Sequence, residues 1–205
     1  MAKIILDSEA SFIVCQELYA EKRPLLQKLI DSKYELSAVY DGRVIFHRRD
    51  RWKPIEEPWK IKLPPSGKQV IGMKFENGKK SRVNIVNAHL SYEVTKAGNE
   101  KRLRETRHLL AYAIWNYKTD QIIFAGDWNS PAKATTRKDI VGEAMNVANY
   151  FDIGLAANPP TGRGKYHLDR VFGLSKKFRT KEVKIHKHKG SDHPGIYVKF
   201  DYRNR

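Results

Sequence analysis

A set of polar residues in this sequence has side chains suited to the hydrolysis of a phosphate ester. They lie at or near the ends of short apolar stretches: Glu17, His89, Asp127, Asn129, Asp169, Asp192 and His193. Carboxylate oxygens are ligands that Mg²⁺ prefers, and such an ion neutralises phosphate charge and a developing alkoxide. A histidine held by a carboxylate can orient or deprotonate water, and a neutral amide can donate to a phosphate oxygen.

Each of these residues also has an ordinary structural explanation when it is considered alone. Glu17 could cap a helix, Asp127 could form an Asx-turn with the backbone, and His89 could be a core histidine with a satisfied hydrogen bond. The functional interpretation depends on their common setting, because the ends of strands in packed sheets hold functional side chains rigidly. We therefore predict that the set converges on one pocket.

Apolar runs and turn signals predict more strands than helices. Two hairpins are predicted, around Asp41-Gly42 and near Asn77-Gly78, and the proline-rich segment 53–67 between them is predicted to be a surface loop. Helices are predicted at 20–32, 99–118 and 137–150, and further strands at 11–16, 121–125, 167–173, 181–187 and 195–200. This pattern predicts one α/β domain over residues 1–205, with largely antiparallel sheets and the helices outside.

The charge of the chain predicts a polyanionic partner. Lys and Arg number 39 against 23 Asp and Glu, which gives a net charge of +16. Solubility needs far less charge than this, so nucleic acid is the first expectation and an anionic membrane surface the second. Residues 161–190 alone contain ten Lys and Arg against two acids, and they join two of the candidate site residues.

The motifs carry a resemblance to a known family. The stretch GDWN at 126–129 resembles the Gly-Asp-Phe-Asn signature of the endonuclease/exonuclease/phosphatase superfamily, the group of deoxyribonuclease I and exonuclease III. Other stretches match in the expected order: CQE at 15–17, NAHL at 87–90, LDRVF at 168–172 and SDH at 191–193. The resemblance covers the chain from about residue 11 to its end. It implies a four-layer sandwich of two mostly antiparallel β-sheets flanked by helices.

The resemblance implies a metal site and a histidine at the scissile phosphate. Glu17 looks like the metal-binding glutamate, and Asp192 is similar to the second acid near the metal, which would be Mg²⁺ or Mn²⁺. His193 looks like the histidine that acts at the phosphate, with Asp169 as the acid that orients it.

The same resemblance assigns the remaining motif residues. Asp127 would position the attacking water, Asn129 would bind phosphate, and His89 corresponds to a second histidine near the leaving oxygen. Trp128, in place of the usual Phe, is expected to point into the core.

One feature of the family pattern is missing. The family opens with a strand ending in an asparagine that helps to hold the metal, whereas here residues 2–10 resemble the helix that follows it, and no Asn precedes Glu17. The natural protein could manage with Glu17, Asp192 and water, or a partner chain or an upstream segment could supply the strand. A weakened enzyme that still binds is the third interpretation. An uncovered sheet edge would invite pairing with a partner.

We predict a metal-dependent nuclease, a DNA endonuclease with weak sequence preference, with DNA favoured over RNA. The alternatives are a nucleic-acid-binding or partner-completed protein with little activity, and a phosphatase or phosphodiesterase acting on a small or protein-linked phosphate. The residues expected to contact nucleic acid are basic: Arg102, Arg104, Arg107, Arg163, Lys165 and Arg170. No signal peptide, disulfide or membrane span is evident, so a cytoplasmic location is expected.

Overall fold

The computed structural model describes residues 1–93, 95–117, 121–132, 139–153, 167–174, 177–187 and 191–202. Its helices are α1 (Ala2–Ser8), α2 (Arg23–Ile30), α3 (Lys96–Tyr117) and α4 (Ile140–Val147). Its strands are β1 (Phe12–Cys15), β2 (Tyr34–Tyr40), β3 (Arg43–Arg48), β4 (Trp52–Pro54), β5 (Trp59–Leu63), β6 (Lys68–Asn77), β7 (Arg82–His89), β8 (Gln121–Ala132), β9 (Tyr150–Asp152), β10 (His167–Leu174), β11 (Phe178–His186) and β12 (Gly195–Tyr202).

These elements stack in four layers, which confirms the predicted sandwich. One apolar cluster joins α1 and α2 to the outer face of a three-stranded sheet, β1–β3–β2. A second cluster fills the space between that sheet, the β11–β12 hairpin and the central seven-stranded sheet. A third joins the other face of the central sheet to α3 and α4. Two sheets packed face to face and covered by helices bury their apolar faces without exposing a large apolar surface.

The central sheet sets the geometry that matters for the site. Its order is β4–β6–β7–β8–β10–β9, with β5 also paired to β6, and β7 and β8 run parallel. The crossover from β7 to β8 is made through α3, as parallel neighbours require. β7 ends at His89, opposite Asp127, and β8 continues beyond this point to Ala132.

The proline-rich segment 53–67 differs from the predicted surface loop. It contains most of β4 and all of β5, and both strands pair with β6. Trp59 explains part of the difference, since its ring packs on Tyr112 and Tyr117 and donates to Asn84 at 3.3 Å. Pro54 closes a short strand that pairs with one neighbour, where a missing N–H is tolerated.

Gly126 allows β8 to approach β7 closely beside the candidate site. Its φ is +144°, and an added Cβ would lie 1.9 Å from the carbonyl oxygen of Ala88 on β7. We expect Gly126→Ala to destabilise the fold by at least about 2 kcal/mol, because it adds backbone strain to a backbone clash. Denaturant titration measures the loss. Gly78→Ala is the control, since nothing lies within 4 Å of its added methyl, and equal stability of the two variants would contradict the expectation.

Within the described ranges, the helices are too short or too polar for any of them to cross a membrane.

Candidate active site

Three neighbouring strands of the central sheet place three of the predicted residues side by side, at the point where β7 ends. The parallel register of β7 and β8 sets His89 opposite Asp127. The antiparallel register of β8 and β10 sets Asp169 opposite the same Asp127. Side chains at paired positions on adjacent strands lie on the same face, so these residues become neighbours although the sequence separates them widely.

His193 completes this group from the segment that precedes β12. Its Nδ1 lies 2.8 Å from Oδ2 of Asp169 and 3.9 Å from Oδ2 of Asp127. The hydrogen bond with Asp169 is the main cause that raises the pKa of His193 to about 9, and the negative charges of Asp169, Asp127 and Asp192 add to it. The imidazole is therefore protonated at neutral pH and can present its second N–H to an anion.

Asp127 is buried and makes the Asx-type contact that the sequence left open. Its Oδ1 accepts from the backbone N–H of Asn129 at 2.8 Å. Its Oδ2 lies 3.8 Å from Nε2 of His89, on the side that faces both histidines. Burial, with a further contribution from Asp169, raises the pKa of Asp127 to about 6. The structural and functional interpretations are compatible, because each uses a different carboxylate oxygen.

Asn129 and Trp128 leave β8 in opposite directions. Trp128 is fully buried, as predicted, and its Nε1 donates to the carbonyl of Arg170 at 3.3 Å. Asn129 has a φ of +48°, and its Nδ2 donates to the carbonyl of Leu90 at 3.0 Å. An amide nitrogen carries two hydrogens, so one remains for a phosphate oxygen.

The pKa of His89 is shifted in the opposite direction to that of His193. Burial is the main cause that lowers the pKa of His89 to about 4, and the positive charges of Lys68 and Arg43 contribute. A neutral imidazole at this position has one donor and one acceptor nitrogen. The site thus holds one charged and one neutral histidine on either side of Asp127.

The two predicted metal ligands lie on the solvent side of this group. Glu17 is exposed, directly after β1, with a φ of +56°, and its charge raises the pKa of Asp127. Asp192 is exposed and adjoins His193, whose pKa its charge raises. The charge of each carboxylate therefore acts on one member of the buried group, and their role as metal ligands stays a prediction.

A different set of atoms could also hold a metal ion. One ligand atom each from Asp127, Asp169 and His193 lie within 4.8 Å of one another. Since the His193–Asp169 contact is a hydrogen bond to a protonated imidazole, a metal in this place would have to displace that proton. Carboxylate oxygens are ligands that Mg²⁺ prefers, so the two acids of this set suit such an ion better than the protonated imidazole does.

Sequence reasoning missed the buried amide that joins the two sheets at the site. Asn87 on β7 is fully buried and donates to the carbonyls of Cys15 at 2.8 Å and Val44 at 3.0 Å. Its Oδ1 accepts from Gln16 at 2.8 Å. Asn87 thereby holds the end of β1, and with it Glu17, against the central sheet. The signal was available, because an amide two residues before His89 interrupts an apolar strand.

The predicted nucleic-acid contacts separate into three groups. For Arg102 and Arg170 the prediction is wrong, because both are buried: Arg102 donates to the carbonyls of Ser91 and Glu93, and Arg170 pairs with carboxylates. Arg104 and Arg107 are exposed on α3. Arg163 and Lys165 lie outside the described residues. Only the exposed pair supports the original interpretation structurally.

The origin of the high pKa of His193 can be tested by removing its partner. Asp169→Asn is expected to return that pKa toward its ordinary value of 6.5, because the first cause of the shift is the Asp169 hydrogen bond. A folded-state pKa above the ordinary value contributes stability that is fully present below pH 6.5 and is lost as pH rises through about 9. The variant should lose this dependence. NMR titration of the His193 ring in metal-free buffer measures it, with His89 as the internal control, and an unchanged pKa would refute the assignment.

Comparison with known proteins gives a clear result for the fold. No family model matches the sequence, and no curated protein is significantly similar to it. Among solved structures, an endonuclease/exonuclease/phosphatase family protein from Bacteroides thetaiotaomicron aligns with a TM-score of 0.78 at 12% identity, over 99% of this chain and 88% of that chain. The chain therefore has the fold of this family.

Two further neighbours have more specific names. A mannosyl-6-phosphatase from Bacteroides thetaiotaomicron aligns with a TM-score of 0.76 at 14% identity, over 98% of this chain and 89% of that chain. TDP2 from D. rerio, complexed with a single-strand DNA product, aligns with a TM-score of 0.75 at 18% identity. That alignment covers 97% of this chain and 89% of the other.

Proposed function

We propose that this protein is a divalent-metal-dependent phosphodiesterase that hydrolyses nucleic acid, acting as a DNA endonuclease with weak sequence preference. The observation that supports the proposal best is the convergence of His193, Asp169, Asp127 and His89 at the point where β7 ends beside β8. A fold shared with nucleases and phosphatases would not by itself select a reaction.

The proposed chemistry follows from the protonation states of the group. The His193 imidazolium, held by Asp169, would bind a phosphate oxygen and stabilise the charge that grows in the transition state. Asp127 would orient the attacking water and accept its proton, since a pKa of about 6 leaves it ionised yet basic at neutral pH. Neutral His89 and the amide of Asn129 would donate hydrogen bonds without adding charge.

Glu17 and Asp192 would hold Mg²⁺ or Mn²⁺ at the entrance. Bound there, the ion would supply neutralisation of phosphate charge. The exposed position of both carboxylates leaves room for the water molecules that Mg²⁺ retains in its coordination shell.

A plasmid assay tests the proposal directly. Supercoiled DNA is incubated with the protein and Mg²⁺ or Mn²⁺, with and without a chelator, and with a parallel single-stranded RNA substrate. Relaxed or linear plasmid formed only with free metal is the expected result. Intact plasmid under every metal condition would reject the nuclease, and faster cleavage of RNA would reject the choice of DNA.

A second candidate is a phosphatase acting on a small phosphate ester. Burial of Arg102 and Arg170 favours it, because two of the predicted cationic contacts to a long polyanion are lost. The similarity in fold to a mannosyl-6-phosphatase is compatible with it. Release of inorganic phosphate from a panel of sugar phosphates and inositol phosphates would separate it from the endonuclease. With tyrosyl-linked DNA as a further substrate, the product to measure is free tyrosine, because the phosphate stays on the DNA end.

The exposed arginines of α3 give a separate test of DNA binding. Replacing Arg104 and Arg107 by Ala is expected to reduce the slope of log K against log salt by about 2, because each phosphate contact contributes about 0.9. Filter binding at several salt concentrations measures the slope. Lys3→Ala with Lys28→Ala removes two exposed charges from α1 and α2 in the opposite outer layer. The same slope change in both double variants would mean that the salt dependence of binding reflects the net charge of the protein and not the position of Arg104 and Arg107.

A further inference from the structure

Helix α3 carries a large aromatic side chain that takes no part in the core. Trp115 is 83% exposed, whereas Leu109 and Ala113 on the opposite side of the helix are buried against the central sheet. An indole is large and apolar, so covering it with a partner gains free energy. A single exposed apolar residue is common on protein surfaces, and therefore the surroundings of Trp115 matter more than its exposure.

Trp115 borders a shallow depression in the outer face of α3. The depression has a volume of about 330 Å³, and Ala111, Tyr112 and Asn116 also line it. Arg104, Ala111 and Trp115 are spaced seven and four residues apart, which places them in one row along the helix. Because Ala111 has only a methyl group, the space beside the indole stays open to a flat ligand.

The walls of the depression are held from the core side. Tyr112 packs on Trp59 of β5, with 5.2 Å between the ring centroids. Asn116 donates from Nδ2 to the carbonyl of Tyr112 at 2.8 Å. An amide used in this way keeps an acceptor oxygen and a second N–H. A planar ring with polar edges would therefore find an apolar surface on Trp115 and a hydrogen-bonding group beside it.

The surface next to the depression is positively charged. Arg104 and Arg107 are exposed about three and two turns before Trp115. Within the described ranges, neither guanidinium forms an ion pair. Glu100 is the only exposed acid of α3, since Glu105 is fully buried and accepts hydrogen bonds from the loop before the helix. This arrangement suits a ligand in which flat rings are joined to negative charges.

We propose that the outer face of α3, formed by Arg104, Arg107 and the Trp115 depression, binds single-stranded nucleic acid. One base stacks on Trp115, and the two arginines contact phosphates of the same strand. The strand has to be single, because the faces of the bases in a duplex are already stacked on their neighbours. Contacts between arginine and phosphate hold either form, so Trp115 supplies the preference for the single strand.

Two other occupants fit this face less well. A membrane-binding helix face needs several apolar side chains, whereas only Ile114 and Trp115 are large, apolar and exposed on α3. A stable protein interface covers about 800 Å² on each partner, which is far more than the depression offers. One indole beside unpaired cations is the combination that binds stacked bases and phosphates.

The outer face of α3 is separate from the candidate active site. Trp128 on β8 points into the cluster beneath α3. Successive side chains of a strand point to opposite faces of the sheet, so Asp127 points away from α3. Binding at α3 therefore does not depend on the proposed hydrolysis, and either proposal can fail without the other.

Oligonucleotide binding in EDTA tests the proposal in the absence of cleavage. The probe is labelled oligothymidine of about 12 nucleotides, a length within the usual site sizes. It should quench tryptophan emission of the wild-type protein, because a base stacks on Trp115. Trp115→Ala should lose this quenching and bind the probe at least about fivefold more weakly, whereas Trp115→Phe keeps a ring and should retain most of the affinity. Oligouridine of the same length shows whether DNA or RNA binds more tightly.

The controls separate stacking from charge. Leu25→Ala removes an exposed apolar side chain from α2 in the opposite outer layer, so it should bind as the wild type does. Trp115→Ala should also bind an oligothymidine–oligoadenosine duplex as the wild type does. Unchanged affinity of Trp115→Ala for both single strands, or an equal loss for the single strand and the duplex, would overturn the proposal. A blue shift of tryptophan emission with phosphatidylserine vesicles, without a response to either oligonucleotide, would overturn it in favour of a membrane surface.

Discussion

Replacing His193 with Ala is expected to lower the rate of phosphodiester hydrolysis by about 10²–10⁴-fold. His193 is the one residue of the site that combines a carboxylate partner at 2.8 Å with a raised pKa, so it carries positive charge where a phosphate would bind. Its removal takes away a donor used in the transition state. Single-turnover cleavage of a labelled duplex, measured at saturating Mg²⁺, gives the rate without product release.

Binding of DNA should survive this substitution. The exposed cations of α3 lie on a different element, so the dissociation constant should change far less than the rate. His108→Ala is the matched control, because His108 is an exposed histidine on α3. If the His193 variant cleaves at the wild-type rate, or if rate and affinity fall together, the assignment of His193 is wrong.

Replacing Arg170 with Ala is expected to cost about 3–5 kcal/mol of the free energy of unfolding. Arg170 is 3% exposed, and its Nε and Nη1 donate to Asp152 at 2.6 Å and Asp139 at 2.7 Å. It thereby ties β10 to β9 and to the residue that caps α4. Its loss would leave two carboxylates without their cation, one of them buried.

The melting temperature should fall by roughly 10 °C in the Arg170→Ala variant. Arg170→Lys should recover only part of it, because a single ammonium cannot reproduce a two-pronged contact. Arg104→Ala, on an exposed face, should change stability by no more than about 0.5 kcal/mol. Calorimetry on the three variants tests the interpretation. A stable Arg170→Ala protein with weakened DNA binding would restore the original prediction that Arg170 contacts nucleic acid.

The two predictions separate residues that look alike in the sequence. Arg170 and Arg104 are both basic residues near candidate site residues, and charge counting treats them equally. Burial distinguishes them: one guanidinium is enclosed by carboxylates, and the other faces solvent. Net charge could therefore suggest a polyanionic partner, but it could not identify the residues that would touch it.

Local patterns in the sequence predicted most of the helices and strands and the candidate chemistry. The turn signal at Asp41-Gly42 was sufficient to predict the β2–β3 hairpin, and helical spacing was sufficient to predict α3, because both are local properties of the chain. Trp128 could also be assigned to the core, and the site residues could be named by type and motif. The β4 and β5 strands were missed, since pairing with β6 overrides the local preference of a proline-rich segment.

The electrostatics of the site and the role of its supporting residues follow from long-range contacts that the sequence does not show. Two histidines of the same intrinsic basicity differ in pKa, at about 9 for His193 and about 4 for His89, because one has a carboxylate partner and the other is buried beside cations. Register decided that Asp169 and His89 both lie opposite Asp127. These are long-range properties, which depend on which strands become neighbours, and no local pattern in the sequence encodes that choice.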